Sequence, residues 1–122
     1  MTLIDIDGTL VHDDGYLSPR VAAEVQRVQE LGHLVVVATG RSAVNAIGVT
    51  KELGLSNGKL ISSNGAVTVR IDHEHPRGFE PEEVITFDPT EVLTQLINRL
   101  PHAHFAVEDA DGVYHFHKEF PA

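Results

Sequence analysis

Asp5-Ile6-Asp7-Gly8-Thr9-Leu10 is the stretch on which the reading of this chain turns. Leu3 to Ile6 forms a short apolar segment, most simply a buried strand, with Asp5 and Asp7 at or just beyond its carboxyl end. In a regular strand, residues two apart share a face, so both carboxylates can converge on one small volume. Like charges that close are costly unless a cation lies between them. Magnesium suits the place, because it takes hard carboxylate oxygens and keeps waters and phosphate oxygens as its other ligands. Gly8 lets the backbone bend away, with neighbouring N–H groups able to face a phosphate. Taken alone, such a pair is equally compatible with a plain polar strand end.

The rest of the chain decides between these readings. Ser18-Pro19 is a helix start: a capping hydroxyl, then a proline whose missing N–H costs nothing at the first helical position. Val21, Val25, Val28 and Leu31 recur at helical spacing, and Gly32 supplies the stop. Leu34-Val35-Val36-Val37-Ala38 is a β-branched run without polar alternation, which reads as a parallel strand covered on both faces. The order strand, helix, strand predicts an α/β fold with a right-handed crossover. Ser42 opens a second helix to about Leu53, stopped by Gly54, and Lys59 to Ile61 reads as a third strand. Asn64-Gly65 then turns the chain into Ala66–Arg70, which alternates like an exposed strand.

Thr39-Gly40-Arg41 directly follows the second strand, and Ser63-Asn64-Gly65 follows the third. Consecutive parallel strands place their carboxyl ends side by side, where open α/β sheets bind ligands. Thr39 offers a hydroxyl to a phosphate oxygen, and Gly40 allows close approach. Arg41 is either a bidentate anion ligand or a surface residue at the next helix start. Three polar loops after three strands, all on one rim, strengthen the functional reading of Asp5 and Asp7.

Asp5-Ile6-Asp7-Gly8-Thr9-Leu10 matches the first motif of the haloacid dehalogenase-like hydrolase superfamily, D-x-D-G-T-L. Val36-Val37-Ala38-Thr39-Gly40-Arg41 resembles the second motif in its Cof-type (class IIB) sugar-phosphatase branch, and Ile61-Ser62-Ser63-Asn64-Gly65-Ala66 resembles that branch's N-G-A segment. The likeness spans about the first seventy residues. It implies an incomplete Rossmann-like parallel sheet followed by the start of an inserted α+β cap. It also implies a magnesium-dependent phosphomonoester hydrolase, acting through an aspartyl-phosphate on a small phosphorylated metabolite such as a sugar phosphate. In that resemblance Asp5 is the nucleophile and a Mg2+ ligand. Asp7 is the general acid and base, its backbone carbonyl also on the metal. Thr39 contacts the phosphoryl oxygens, and Gly8, Gly40, Arg41 and Asn64 lie near substrate or support the loops.

Composition shifts at Ile71–Pro81, where His, Glu, Pro, Arg and Gly crowd together and read as a connector. Asp88-Pro89 opens a helix with Val92, Leu93, Leu96, Ile97 and Leu100 on one side, and Phe105–Glu108 with Val113–His117 reads as a hairpin. The expected division is residues 1–78 as the core part and 79–122 as the beginning of the cap, cut short at Phe120-Pro121-Ala122. The family's third motif, a phosphate-holding lysine, and its fourth, an acidic loop completing the magnesium site, have no counterpart here. The chain is therefore expected to be an N-terminal fragment, inactive by itself.

Eighteen acidic residues against nine basic ones give a formal charge of -9, which disfavours binding to nucleic acid or an anionic membrane. No apolar stretch has the length of a membrane span, and the early Asp5 and Asp7 do not suit a signal peptide. The absence of cysteine removes disulfides and thiol chemistry, and fits a cytoplasmic setting. The histidine pairs 73/75, 102/104 and 115/117 alternate as zinc-binding pairs do, yet read more simply as solvated surface, as do Glu80, Glu82 and Glu83. His12 sits in the loop after the first motif, either near substrate or in solvent. Two rival functions stay open: a phosphosugar mutase or other phosphoryl transferase of the same superfamily, and a regulatory module that keeps the fold without turnover. The oligomeric state is not legible.

Overall fold

A computed structural model describes residues 1–119; the chain end at 120–122 lies outside the described residues. The chain divides into two compact units, Met1–Val84 and Ile85–Ala122.

The first unit is a five-stranded mixed sheet with its strands in sequence order. Strands β1 (Thr2–Ile4), β2 (Val35–Ala38) and β3 (Lys59–Ser62) are parallel, and helices α1 (Pro19–Glu30) and α2 (Ala43–Glu52) connect them. Strands β4 (Val67–Ile71) and β5 (Phe79–Val84) add on in antiparallel sense. Both helices begin as the sequence predicts. Ser18 Oγ accepts the Val21 N–H at 3.2 Å and Ser42 Oγ the Asn45 N–H at 3.4 Å. Ser18→Ala should therefore lower stability by about 1 kcal/mol, measurable by urea denaturation, because one orphan N–H of the first turn loses its partner.

Alternation along the strands sorts the sheet into two faces. Val35, Val37, Leu60, Val69 and Ile71 join Val25 of α1 and Ala43 and Ala46 of α2 in one buried core. Leu53 and Leu55 close it below the end of α2. The opposite face presents Leu3, Val36, Ile61 and Thr68 around an apolar groove of about 430 Å³. Leu3 of β1 is 53% exposed at this groove, whereas β2 is buried on both faces, Val36 included at 5%, as its aliphatic run predicts. Leu31, expected on the inner stripe of α1, is its exposed C-cap.

Two further expectations need correction. The strand after Asn64-Gly65 is not exposed: β4 lies between β3 and β5 and buries Val69 and Ile71. The connector is shorter than it reads, since only residues 72–78 form a turn, and Phe79 to Val84 return along β4 as the sheet's fifth strand. Charge and Pro81 disguise β5, but both belong on an edge, where no further strand needs the proline's N–H. Two of its three acidic residues also have cross-strand partners: Glu80 pairs with Arg70, and Glu82 meets Lys59 at 2.6 Å.

The second unit holds α3 (Thr90–Arg99) and the hairpin β6 (Ala106–Glu108) and β7 (Tyr114–Phe116). Asp88 Oδ1 accepts the Thr90 N–H at 3.0 Å, as an opening carboxylate should. Leu93, Leu96 and Ile97 are half-buried, whereas Val92 and Leu100 are exposed. Asp109 organises the hairpin loop by accepting the N–H groups of Asp111 and Val113 and pairing with His115 at 2.7 Å. Those contacts hold the Asp109 carboxyl below its ordinary range, the His115 bond first among them.

Candidate active site

The carboxyl ends of β1, β2 and β3 meet on one rim, and each runs into a polar loop. Asp5 is the first residue beyond β1, exposed to solvent. Among the described residues its carboxylate has no hydrogen-bond or ion-pair partner. A cleft of about 390 Å³ brings Asp5 together with Thr39, Gly40, Asn64 and Gly65, over a floor of Leu3, Ala38 and Ile61. Four of the predicted site residues thus share one opening. The apolar floor could not be singled out from sequence, since nothing marks those residues apart from any other strand residue.

Thr39 is buried, and its backbone is tied into the sheet by an N–H donated to the Ile61 carbonyl at 2.9 Å. Its Oγ1 accepts the Arg41 N–H at 3.1 Å, closing a tight hydroxyl turn. With its oxygen accepting there, the Thr39 hydroxyl still has a proton to donate.

Asp7 follows a different course. After Ile6, which is fully buried, the backbone turns and its carboxylate meets the Arg41 guanidinium bidentately, Nε to Oδ2 at 2.9 Å and Nη2 to Oδ1 at 2.5 Å. That guanidinium holds the Asp7 carboxyl below the ordinary range, and Asp7 in turn raises Arg41. Of the two roles open for Arg41, anion ligand or surface residue, the structure shows an anion ligand whose anion is Asp7 itself. The repulsion expected between Asp5 and Asp7 is thereby relieved in part by an internal cation.

Gly8, with φ of +73°, makes the left-handed turn for which glycine is suited. It lies not in the Asp5 cleft but on a neighbouring one of about 330 Å³, together with Thr9, Leu10, Val11, His12, Asp13 and Val21. His12 stacks on Tyr16, their ring centroids 6.0 Å apart.

Asn64 lies in a single 3₁₀ turn, Ser63–Gly65, where Ser63 and Asn64 have φ of +49° and +55°. Successive side-chain-bearing residues in the left-handed region cost of order 1 kcal/mol each, less for asparagine than for serine. Two backbone bonds offset that cost. Ser63 N–H donates to the Arg41 carbonyl at 2.8 Å and Asn64 N–H to the Thr39 carbonyl at 3.2 Å. Below the turn, the buried Ser62 hydroxyl donates to the Val67 carbonyl at 3.1 Å.

A family model for haloacid dehalogenase-like hydrolases matches residues 2–121. The chain belongs to that family. A 5-amino-6-(5-phospho-D-ribitylamino)uracil phosphatase of Bacillus subtilis is 29% identical, the match covering 95% of this chain and 42% of the relative. Among solved structures, a phosphatase of the haloalkanoate superfamily from Bacteroides thetaiotaomicron superposes with a TM-score of 0.72 at 22% identity, over 98% of this chain and 41% of the other. A haloacid dehalogenase-like hydrolase from B. subtilis gives 0.63 at 26% identity, over 87% of this chain and 36% of the other. The chain thus spans about two fifths of the length of the relatives it matches. The dehalogenase-like frame accounts for the parallel β1–β3 and for the placing of their loops on one rim.

The donors a metal would need are present in part. Asp5 offers an exposed, unengaged carboxylate, and among the described residues the Asp7 carbonyl takes no backbone hydrogen bond. Both are hard oxygens of the kind magnesium takes. The Asp7 carboxylate, by contrast, is committed to Arg41. Among the described residues, no three His, Cys, Asp or Glu side chains gather as a metal-holding group, and the histidine pairs form none. His73 Nε2 lies 2.8 Å from the Leu55 carbonyl, and His75 Nδ1 accepts the Arg77 N–H. Among the described residues, no helix is long and apolar enough to cross a membrane.

Proposed function

We propose that this chain carries the nucleophile-bearing part of a magnesium-dependent phosphomonoester hydrolase of the Cof-type (class IIB) branch. Its substrate is a small phosphorylated metabolite such as a sugar phosphate. The observation that carries the reading is the cleft lined by both Thr39 and an unpaired Asp5, with Asp7 bound to Arg41 in the loops that follow the same two strands. Residues 1–84 belong on this reading to the catalytic core, and the α3–hairpin unit begins the cap.

In the first half-reaction Asp5 attacks phosphorus while the bond to the leaving oxygen breaks, and that oxygen takes a proton from Asp7. In the second, Asp7 removes a proton from water, the water oxygen attacks phosphorus, and the bond to Asp5 breaks to release inorganic phosphate. Thr39 donates to a phosphoryl oxygen throughout. Asp5 and the Asp7 carbonyl would hold magnesium, which would supply the charge neutralisation that lets a carboxylate approach a phosphate dianion. The Asp7–Arg41 pair suits the second half-reaction, because a guanidinium stabilises the ionised, proton-accepting carboxylate. For the first, Asp7 must arrive protonated, which requires Arg41 to let go; a phosphate dianion in the cleft gives the guanidinium another anion to bind.

The test is phosphate release by the full gene product from a panel of sugar and other small phosphomonoesters, with magnesium and with EDTA. Release is expected with the metal and not with the chelator, and this chain alone should give none. Transfer of the phosphoryl group between sugar phosphates, in place of release, would make it a mutase. Silence in both assays would favour a non-catalytic role.

A further inference from the structure

The cost stored at Ser63 and Asn64 is not required by the sheet, since a glycine at either position would make the same turn more cheaply. What the turn does is hold the neighbouring loop. Its two N–H groups grip the carbonyls on either side of Gly40, those of Thr39 and Arg41. The Asn64 side chain also lies against Gly40 itself: a Cβ added there would come within 3.0 Å of Asn64 Oδ1. Gly40 is thus held between a backbone grip and an amide that a side chain there would crowd. Arg41 follows at once, and its guanidinium reaches Asp7, thirty-four positions away in sequence.

We propose that Asn64 is a positioning residue. By bracing Thr39-Gly40-Arg41 it fixes the guanidinium that holds Asp7, and so sets the orientation of Asp7 as the general base of the second half-reaction without touching the reacting atoms. The catalytic part of this inference rests on the phosphohydrolase reading; the bracing itself does not.

The rival is that Asn64, which also lines the Asp5 cleft, binds substrate directly. A double-mutant cycle on the full gene product separates the two. Asn64→Gly removes the amide while suiting the left-handed backbone, so the fold should survive. Gly40→Ala places a methyl group 3.0 Å from Asn64 Oδ1 of the wild type, a tight contact that is relieved once that amide is gone. Two signals are followed: the Nε–H resonance of Arg41 in ¹⁵N-arginine-labelled protein, assigned by its loss in Arg41→Lys, and kcat and KM for phosphate release.

Each single substitution is expected to speed hydrogen exchange at the Arg41 Nε–H and to lower kcat more than it raises KM. The pair should depart from additivity by about tenfold, as coupled neighbours do. Strict additivity, or an Arg41 Nε–H in Asn64→Gly as protected as in the wild type, would overturn the proposal. A rise in KM with the Arg41 signal intact would overturn it in favour of direct binding. If no phosphate is released from any substrate, the exchange data still decide the bracing, and the failure belongs to the enzymatic reading alone.

Discussion

Asp5→Asn should abolish phosphate release by the full gene product, with a fall in kcat on the order of 10⁴-fold or more, while leaving the fold intact. Both halves follow from where Asp5 sits. It stands beyond the end of β1, exposed and without a partner among the described residues, so no native contact depends on its charge. Replacing it by the isosteric amide also removes a negative charge near Asp7, and thermal stability should stay level or rise slightly. The amide, however, has no lone pair basic enough to open a phosphate ester. Losing the nucleophile of a covalent mechanism costs far more than losing one orienting contact. Acid quenching of the wild type with ³²P-labelled substrate should trap label on the protein, released by hydroxylamine as an acyl phosphate would be. The Asn variant should trap none. Retention of activity within tenfold would remove Asp5 from the role of nucleophile altogether.

The place of Asp5 on the rim was legible in the sequence because a carboxylate pair before a glycine, closing a strand, has few bland explanations once two more polar loops fall on the same rim. The parallel strands were legible for a related reason. Val35-Val36-Val37 admits little except a buried strand, and Ser18-Pro19 announces a helix by the chemistry of its first turn. Local chemistry of this kind is written at the positions it governs. The Asp7–Arg41 pair is not, because it joins residues thirty-four positions apart whose loops meet only when β1 lies beside β2. Sequence alone offered Arg41 an anion but not which one. The left-handed backbone at Ser63 was hidden for the opposite reason: Asn64-Gly65 marks a turn, but nothing local requires the serine before it to share the strain. The apolar groove over Leu3, Val36 and Ile61 was hidden too, since the aliphatic run reports the burial of β2 alone and not the exposure of Leu3 on the strand beside it.

The strand that sequence reading lost, β5, yields the prediction with the largest effect on stability. Phe79 is 2% exposed and pairs with Ile71 across the β4–β5 ladder, with the Arg77 guanidinium 4.7 Å above its ring. The turn before it is pressed onto α2, for a Cβ on Gly78 would meet Ile47 Cγ1 at 3.0 Å. A residue in a solvated connector would show none of this, and its truncation would cost little. As a core residue, Phe79→Ala should remove about 3–5 kcal/mol, the usual loss when a buried aromatic leaves a cavity. That is a large part of the roughly 5–15 kcal/mol by which a domain is stable. Val44→Ala is the control: Val44 is 53% exposed on α2, and its replacement by a better helix former should change stability by less than about 0.5 kcal/mol. Urea denaturation followed by far-UV circular dichroism compares the two directly. Equal midpoints would return Phe79 to a connector and leave the sheet four strands wide. A large difference makes β5 structural, and it assigns the charges around Phe79 their purpose: Glu80 and Glu82 cover an edge strand whose core contact is a single aromatic ring, and their pairing with Arg70 and Lys59 keeps that edge acidic without leaving either carboxylate unopposed.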